Sequence, residues 1–282
     1  MNRPQWITAG IALVIVIGLY AVTQDELFGV PKEKQAAAKP AAAASTLSID
    51  SIVFHAKEKL TPEQATRLSF LERSITRGDV REQQLHDYHQ LSRFWSDSAR
   101  VFAPSGWYTA EAARLENSEK SLTFAAHLFL NNLREESDPA LKQWEAFQAK
   151  DLFERSLKLN ARNDSSKVGL GAVYLYGGIA MPMEGITLIR EVADRDSTNT
   201  YAQLTMGEAS LMSGQTEKGI ERFKTVARQQ PQNLELILLV ADLYERTGKN
   251  AEAAEWYAKC LPLIPNPAFK KEVEARIAKL RK

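Results

Sequence analysis

The 282-residue chain is 44% hydrophobic and 25% charged, with 36 basic and 35 acidic residues. That length and composition suit one or two globular domains with a substantial core. The near-neutral balance excludes phosphate-driven nucleic-acid binding, which needs a strong basic excess, and the lone Cys260 excludes an intramolecular disulfide or a cysteine-rich metal site.

After a short tail (residues 1–5), Trp6 to Val22 is a run of seventeen uncharged residues, nine of them Ile, Leu or Val. Each of the nine favours bilayer insertion by about 0.3–0.6 kcal/mol. As a helix the run reaches roughly 25 Å, the short end for a hydrocarbon core of about 30 Å. Trp6 and Tyr20 stand near its ends, where amphipathic rings favour the interface. Leu19-Tyr20-Ala21 and Ala21-Val22-Thr23 fit the small-residue cleavage rule poorly. Residues 6–22 are therefore expected to be an uncleaved signal-anchor, a single transmembrane helix in the inner (cytoplasmic) membrane. Arg3 before the span and Lys32, Lys34 and Lys39 after it nearly balance, and the short leading tail favours a domain on the outer, periplasmic side. Residues 23–48, rich in Ala, Lys and Pro, read as a spacer.

Residues 49–129 are expected to be helical, with degenerate repeat character. Thr61-Pro62-Glu63-Gln64 is a helix start, a Thr cap followed by Pro at the first helical position. Leu68, Leu71 and Ile75 follow at helical spacing, and Gly78 closes the segment. The pattern predicts a second helix from Asp79 to about Phe102, with Leu85, Tyr88, Leu91, Trp95 and Phe102 inward, ended by Pro104 and Gly106. Two more are predicted over 108–117 and 120–134, the latter with Leu122, Ala126, Leu130 and Leu133 on one stripe. No alternating run is long enough to argue for a sheet. Asp138-Pro139 then starts a long helix.

Beyond it one pattern recurs. Gly207 and Ala241 are 34 residues apart, as are Gly214 and Gly248, Gly219 and Ala253, Phe223 and Tyr257, and Pro231 and Pro265. The same marks extend to Leu170-Gly171, Tyr174, Gly178, Gly185, Ile189 and Val192, and to Ala149, Phe153 and Ser156. Gly171 to Gly207 is 36, so two extra residues lie within Gly177–Met183. That places repeats at about 130–163, 164–199, 200–233 and 234–267. A final amphipathic helix at 268–282, with Phe269, Val273, Ile277 and Leu280 on its stripe, caps the stack.

These residues resemble the tetratricopeptide repeat family, a helix–turn–helix period of 34 residues. Leu-Gly and Tyr match in the first helix, then a Gly turn, Ala-x₃-Phe in the second helix and a closing Pro. Ser210 departs from the family's Tyr. The membrane-anchored layout is similar to bacterial inner-membrane repeat proteins that assist secretion or cytochrome c maturation. The resemblance implies an all-α solenoid that binds protein partners and catalyses nothing. It also implies a concave groove lined by the first helices: Val168, Leu175 and Tyr176, then Tyr201, Leu204, Glu208, Leu211 and Met212, then Leu238 and Asp242. The family's carboxylate clamp of Lys and Asn is absent, since its positions hold Val168, Leu204 and Leu238, then Ala172, Glu208 and Asp242. The groove grades from apolar to acidic and suits an apolar or amphipathic helix or peptide. The chain's own N-terminal helices could fill it instead. Ile179, Met181 and Met183, in the lengthened loop, form a second contact candidate.

Other chemistry is sparse. His86 and His89 share a helix face at a spacing that can hold a metal, but need a third ligand. A solvated face is the simpler reading, and a metal enzyme built on them is the outlying alternative. Cys260 fills a small-residue slot and reads as packing. No cofactor is expected. A homo-oligomer paired through exposed edges or groove stays open as a second reading.

Overall fold

The computed structural model describes residues 47–75 and 80–282. The apolar run at 6–22, most of the spacer and Gly78 lie outside the described residues. Thirteen α-helices follow one another, with no strand among the described residues. None of these helices is long and apolar enough to cross a membrane. They are α1 (Ile49–Lys57), α2 (Pro62–Ile75), α3 (Arg81–Arg93), α4 (Phe102–Glu116), α5 (Glu119–Glu135), α6 (Pro139–Leu159), α7 (Asp164–Tyr176), α8 (Pro182–Arg195), α9 (Thr200–Met212), α10 (Thr216–Gln229), α11 (Leu234–Arg246), α12 (Asn250–Cys260) and α13 (Pro267–Leu280).

The starts are built locally. Thr61 Oγ1 accepts from the Gln64 amide at 3.2 Å while Gln64 Oε1 accepts from the Thr61 amide at 2.9 Å, a reciprocal capping box. Asp138 caps α6 ahead of Pro139. Asn163, Asn199 and Asn233 cap α7, α9 and α11 through their side-chain oxygens, each worth about 1 kcal/mol. Gly178, Gly214 and Gly248, at φ of 64°, 72° and 73°, turn the chain after the same helices.

Helices α5–α6, α7–α8, α9–α10 and α11–α12 pack as antiparallel hairpins, each against the next, in a tetratricopeptide-like solenoid. Small residues set the closeness of each crossing. A Cβ on Gly185 would lie 2.3 Å from the Gly171 carbonyl oxygen, and one on Gly207 would lie 2.6 Å from the Phe223 ring. The stripe Leu122, Ala126, Leu130 and Leu133 is buried as expected, as are Ala149, Phe153 and Ser156. The first hairpin runs from Glu119, so the expected boundary at 130 falls inside α5. Helix α13 closes the stack with Val273 and Ile277 buried; Arg276 bonds Glu245 at 2.6 Å and stands over the Tyr257 ring.

One expectation is corrected. The helix predicted to run to Phe102 stops at Arg93, passes through a π-turn (Phe94–Ser98) and breaks, and Phe102 begins α4. Arg100 at φ 56° reverses the chain. Pro104 does not end a helix because it is the third residue of α4, where backbone N–H groups have no intrahelical acceptor. Gly106 is an approach point, since its Cβ would meet the Phe129 ring of α5 at 3.1 Å.

Candidate functional site

Helices α5, α7 and α9 present three first helices side by side, and a polar staple crosses them. Arg134 of α5 donates from Nη2 to Glu208 Oε2 of α9 at 2.8 Å. The Tyr176 hydroxyl of α7 donates to the same oxygen at 2.5 Å. The Arg134 guanidinium stands 4.7 Å from the centre of the Tyr176 ring. Burial and donation to Glu208 push the Tyr176 phenol well above its ordinary range, and burial does the same to Tyr201. His127, one turn before Leu130, meets Ser165 Oγ at 2.9 Å and lies edge-on to Phe153. Burial lowers its pKa, which favours the neutral ring.

The expected groove therefore divides. Tyr176, Tyr201 and Glu208 face one another around Arg134. Val168 and Leu175 are corrected to core: both are buried with Ile189, Ala202 and Met206 between successive hairpins, so they offer a ligand nothing. Leu204, Leu211 and Leu238 are half-buried against the core of the last two hairpins. Asp242 pairs with Arg246 and Arg276, and Met212 alone is broadly exposed. In the lengthened loop Ile179 tucks against the α5–α7 core and Met181 stands in solvent, while Met183, expected in the loop, is instead the second residue of α8 and is exposed there.

The open trough lies further toward the N-terminus, between α3, α4 and α5, and encloses about 790 Å³. Its apolar part is Phe102, Phe124 and Leu128; Phe124 is 60% exposed. Its floor carries hydroxyls that satisfy one another: Ser92 and Thr109 oxygens are 2.7 Å apart, and Ser105 Oγ donates to the Ser92 carbonyl at 3.0 Å. His89, Arg93 and Lys120 line it against one carboxylate, Glu116. Ser96 of the π-turn lies at its edge, an irregularity often found at working surfaces. Sequence reasoning missed this trough. The available signal was Phe124 and Leu128, an apolar pair four apart that lies off the buried stripe of α5.

Among the described residues His86 meets Gln90 alone, and no cluster of three metal-binding side chains occurs among them. Cys260 is buried, donates to the Trp256 carbonyl and has its thiol pushed up to about 11 by burial, as befits a packed residue.

The fold and this surface define a class, an all-helical repeat solenoid with open grooves. No protein-family model matches the chain, and no curated protein matches it. Among solved structures, MamA (residue 41 to the end) from Desulfovibrio magneticus RS-1 is 22% identical with a TM-score of 0.46, over 66% of this chain and 96% of that one. YrrB, described as a TPR protein with an unusual peptide-binding site, is 14% identical with a TM-score of 0.41, over 73% and 97%. A tetratricopeptide repeat protein from Parabacteroides merdae ATCC 43184 is 14% identical with a TM-score of 0.36, over 80% and 87%.

Proposed function

We propose that the chain is a membrane-tethered scaffold that docks a protein partner in the α3–α4–α5 trough. The observation that carries this reading is the trough itself: an open concavity with an exposed Phe124 and a rim of His89, Arg93 and Lys120. Its basic rim and apolar centre suit an amphipathic helix or peptide with acidic flanks, the reverse of the charge expected from the α7–α11 register. Residues 6–22 anchor the chain in the inner membrane and residues 23–48 hold the domain away from it on the periplasmic side. In that position the scaffold assists assembly or secretion of extracytoplasmic proteins. No catalytic step belongs to this reading.

A photo-crosslinking residue at Leu128, activated in membranes and followed by mass spectrometry, tests it. A heterologous protein linked at that position is the expected product. Links only to a second copy of the chain would replace the scaffold with the self-associating reading. Phe124→Asp, on an exposed side chain, should lower capture about tenfold or more. Met212→Asp should leave it unchanged, and the opposite pattern would move the site to the α7–α11 face.

A further inference from the structure

The last hairpin is an internal template for the one before it. A shift of 34 residues carries α8, α9 and α10 onto α10, α11 and α12. In the template Leu243, Tyr244 and Trp256 fill the angle between the three helices over Ile220 and Val240, and all five are buried. Lys224 Nζ of α10 stands 5.8 Å from the centre of the Tyr244 ring. One repeat earlier the floor is kept, by Ile186 and Met206, and Arg190 takes the place of Lys224. The filling is not kept: Ala209 stands for Leu243, Ser210 for Tyr244 and Arg222 for Trp256.

Three large side chains are thus lost from one spot, and an open cavity of about 560 Å³ occupies it. Arg222 does not refill it, because its Nη1 is held by Gln203 Oε1 at 2.8 Å. The two carboxylates on the rim are engaged, Glu221 with Lys224 at 2.7 Å and Glu217 with Lys249 at 3.5 Å. Arg190 is exposed and makes no hydrogen bond or ion pair with any described residue. The cavity has an apolar floor, a free guanidinium above it and no ring between them. A guanidinium over a ring face is attractive, more so when water is excluded.

We infer that this cavity receives one aromatic side chain, tyrosine or phenylalanine, of a bound polypeptide, the ring lying on Ile186 and Met206 beneath the Arg190 guanidinium. The cavity exceeds a single ring and leaves room for the flanking backbone. The site is separate from the α3–α5 trough, and it rests on the reading of the chain as a protein-binding scaffold.

The five methionines make the test direct. Met183 and Met206 line the cavity, whereas Met181 and Met212 do not. The full-length protein, labelled with ¹³C at the Met methyls, is titrated with N-acetyltyrosinamide, N-acetylphenylalaninamide and N-acetylleucinamide. The two aromatic probes should give saturable ring-current shifts at Met183 and Met206, with affinities on the order of millimolar. The leucine probe has no ring and serves as a competitor: in about tenfold excess it should leave the aromatic shifts in place, and Met181 and Met212 should stay still. Ser210→Tyr restores the template residue, so it should fold with a Tm at or above the parent's and lose the shifts. Arg190→Ala, on the surface, should weaken the aromatic probes about 3–10-fold. Shifts that fail to saturate, that an excess of the leucine probe abolishes, or that survive Ser210→Tyr overturn the inference. A partner crosslinked at Leu128 with Met183 and Met206 unmoved by the probes overturns it alone. Shifted methyls with no heterologous partner captured leave the cavity standing and overturn the scaffold reading.

Discussion

Glu145 is a buried carboxyl group whose surroundings favour its protonated form. It is 1% exposed on α6, takes one hydrogen bond from Asn132 at 2.8 Å, and its Oε2 has no partner among the described residues. Burial, with Glu136 nearby, pushes its pKa up to about 7 against the donation from Asn132 and the charge of Lys142. Between the unfolded value of 4.5 and about 7 the native state holds the proton more tightly than the unfolded chain. Stability contributed by this group is therefore present below that window and falls as pH rises through it, by roughly 3 kcal/mol in all. Glu145→Gln should flatten the decline, so that urea unfolding at pH 8 shows the variant more stable than the parent and at pH 5 shows little difference. Equal pH dependence in the two proteins would count against a raised Glu145 pKa. The staple belongs to the same scale. Arg134 and Glu208 are 42% and 35% exposed, so their ion pair contributes about 1 kcal/mol or less.

At the scale of elements, the crossing of α7 and α8 depends on backbone meeting backbone. Because a Cβ on Gly185 would lie 2.3 Å from the Gly171 oxygen, Gly185→Ala must push the two helices apart. The expected cost is about 1–3 kcal/mol despite the better helix propensity of alanine, read as a lower Tm and urea midpoint. A neutral or stabilising result would show that the hairpin can spread without loss. These crossings were legible in the sequence, because small residues at a fixed period are a local mark. The Asn caps repeat at the same 36 and 34 spacing and could have been read with them. The π-turn after Arg93 could not. Nothing in Phe94-Trp95-Ser96 signals an extra residue in the turn, which carries Phe94 and Trp95 into one buried cluster.

For the whole molecule, the stack ends where α13 covers it. Val273 and Ile277 are buried, and Arg276 ties Asp242 and Glu245 to the cap. Ending the chain after Pro265 removes that cover from Tyr257 and its neighbours. The shortened protein should melt at a lower temperature and associate through the bared end, seen by light scattering. A monomer with the parent's Tm would mean that α13 is an appendage and not a cap.

Local signals gave this protein its helices and its period. Caps, turn glycines and a 3.6-residue stripe act over a few neighbours, so a linear reading reaches them. Which groove stays open was decided only by the tertiary structure. Arg134 and Glu208 are 74 residues apart and meet because three helices bring them together, and no local pattern records that meeting. Val168 looked like lining by register and is core by packing, since α9 lies across it. The cavity at Ser210 joins the two kinds of information. Its missing tyrosine was visible in the sequence, and the fold shows that no other side chain moved in to fill the place.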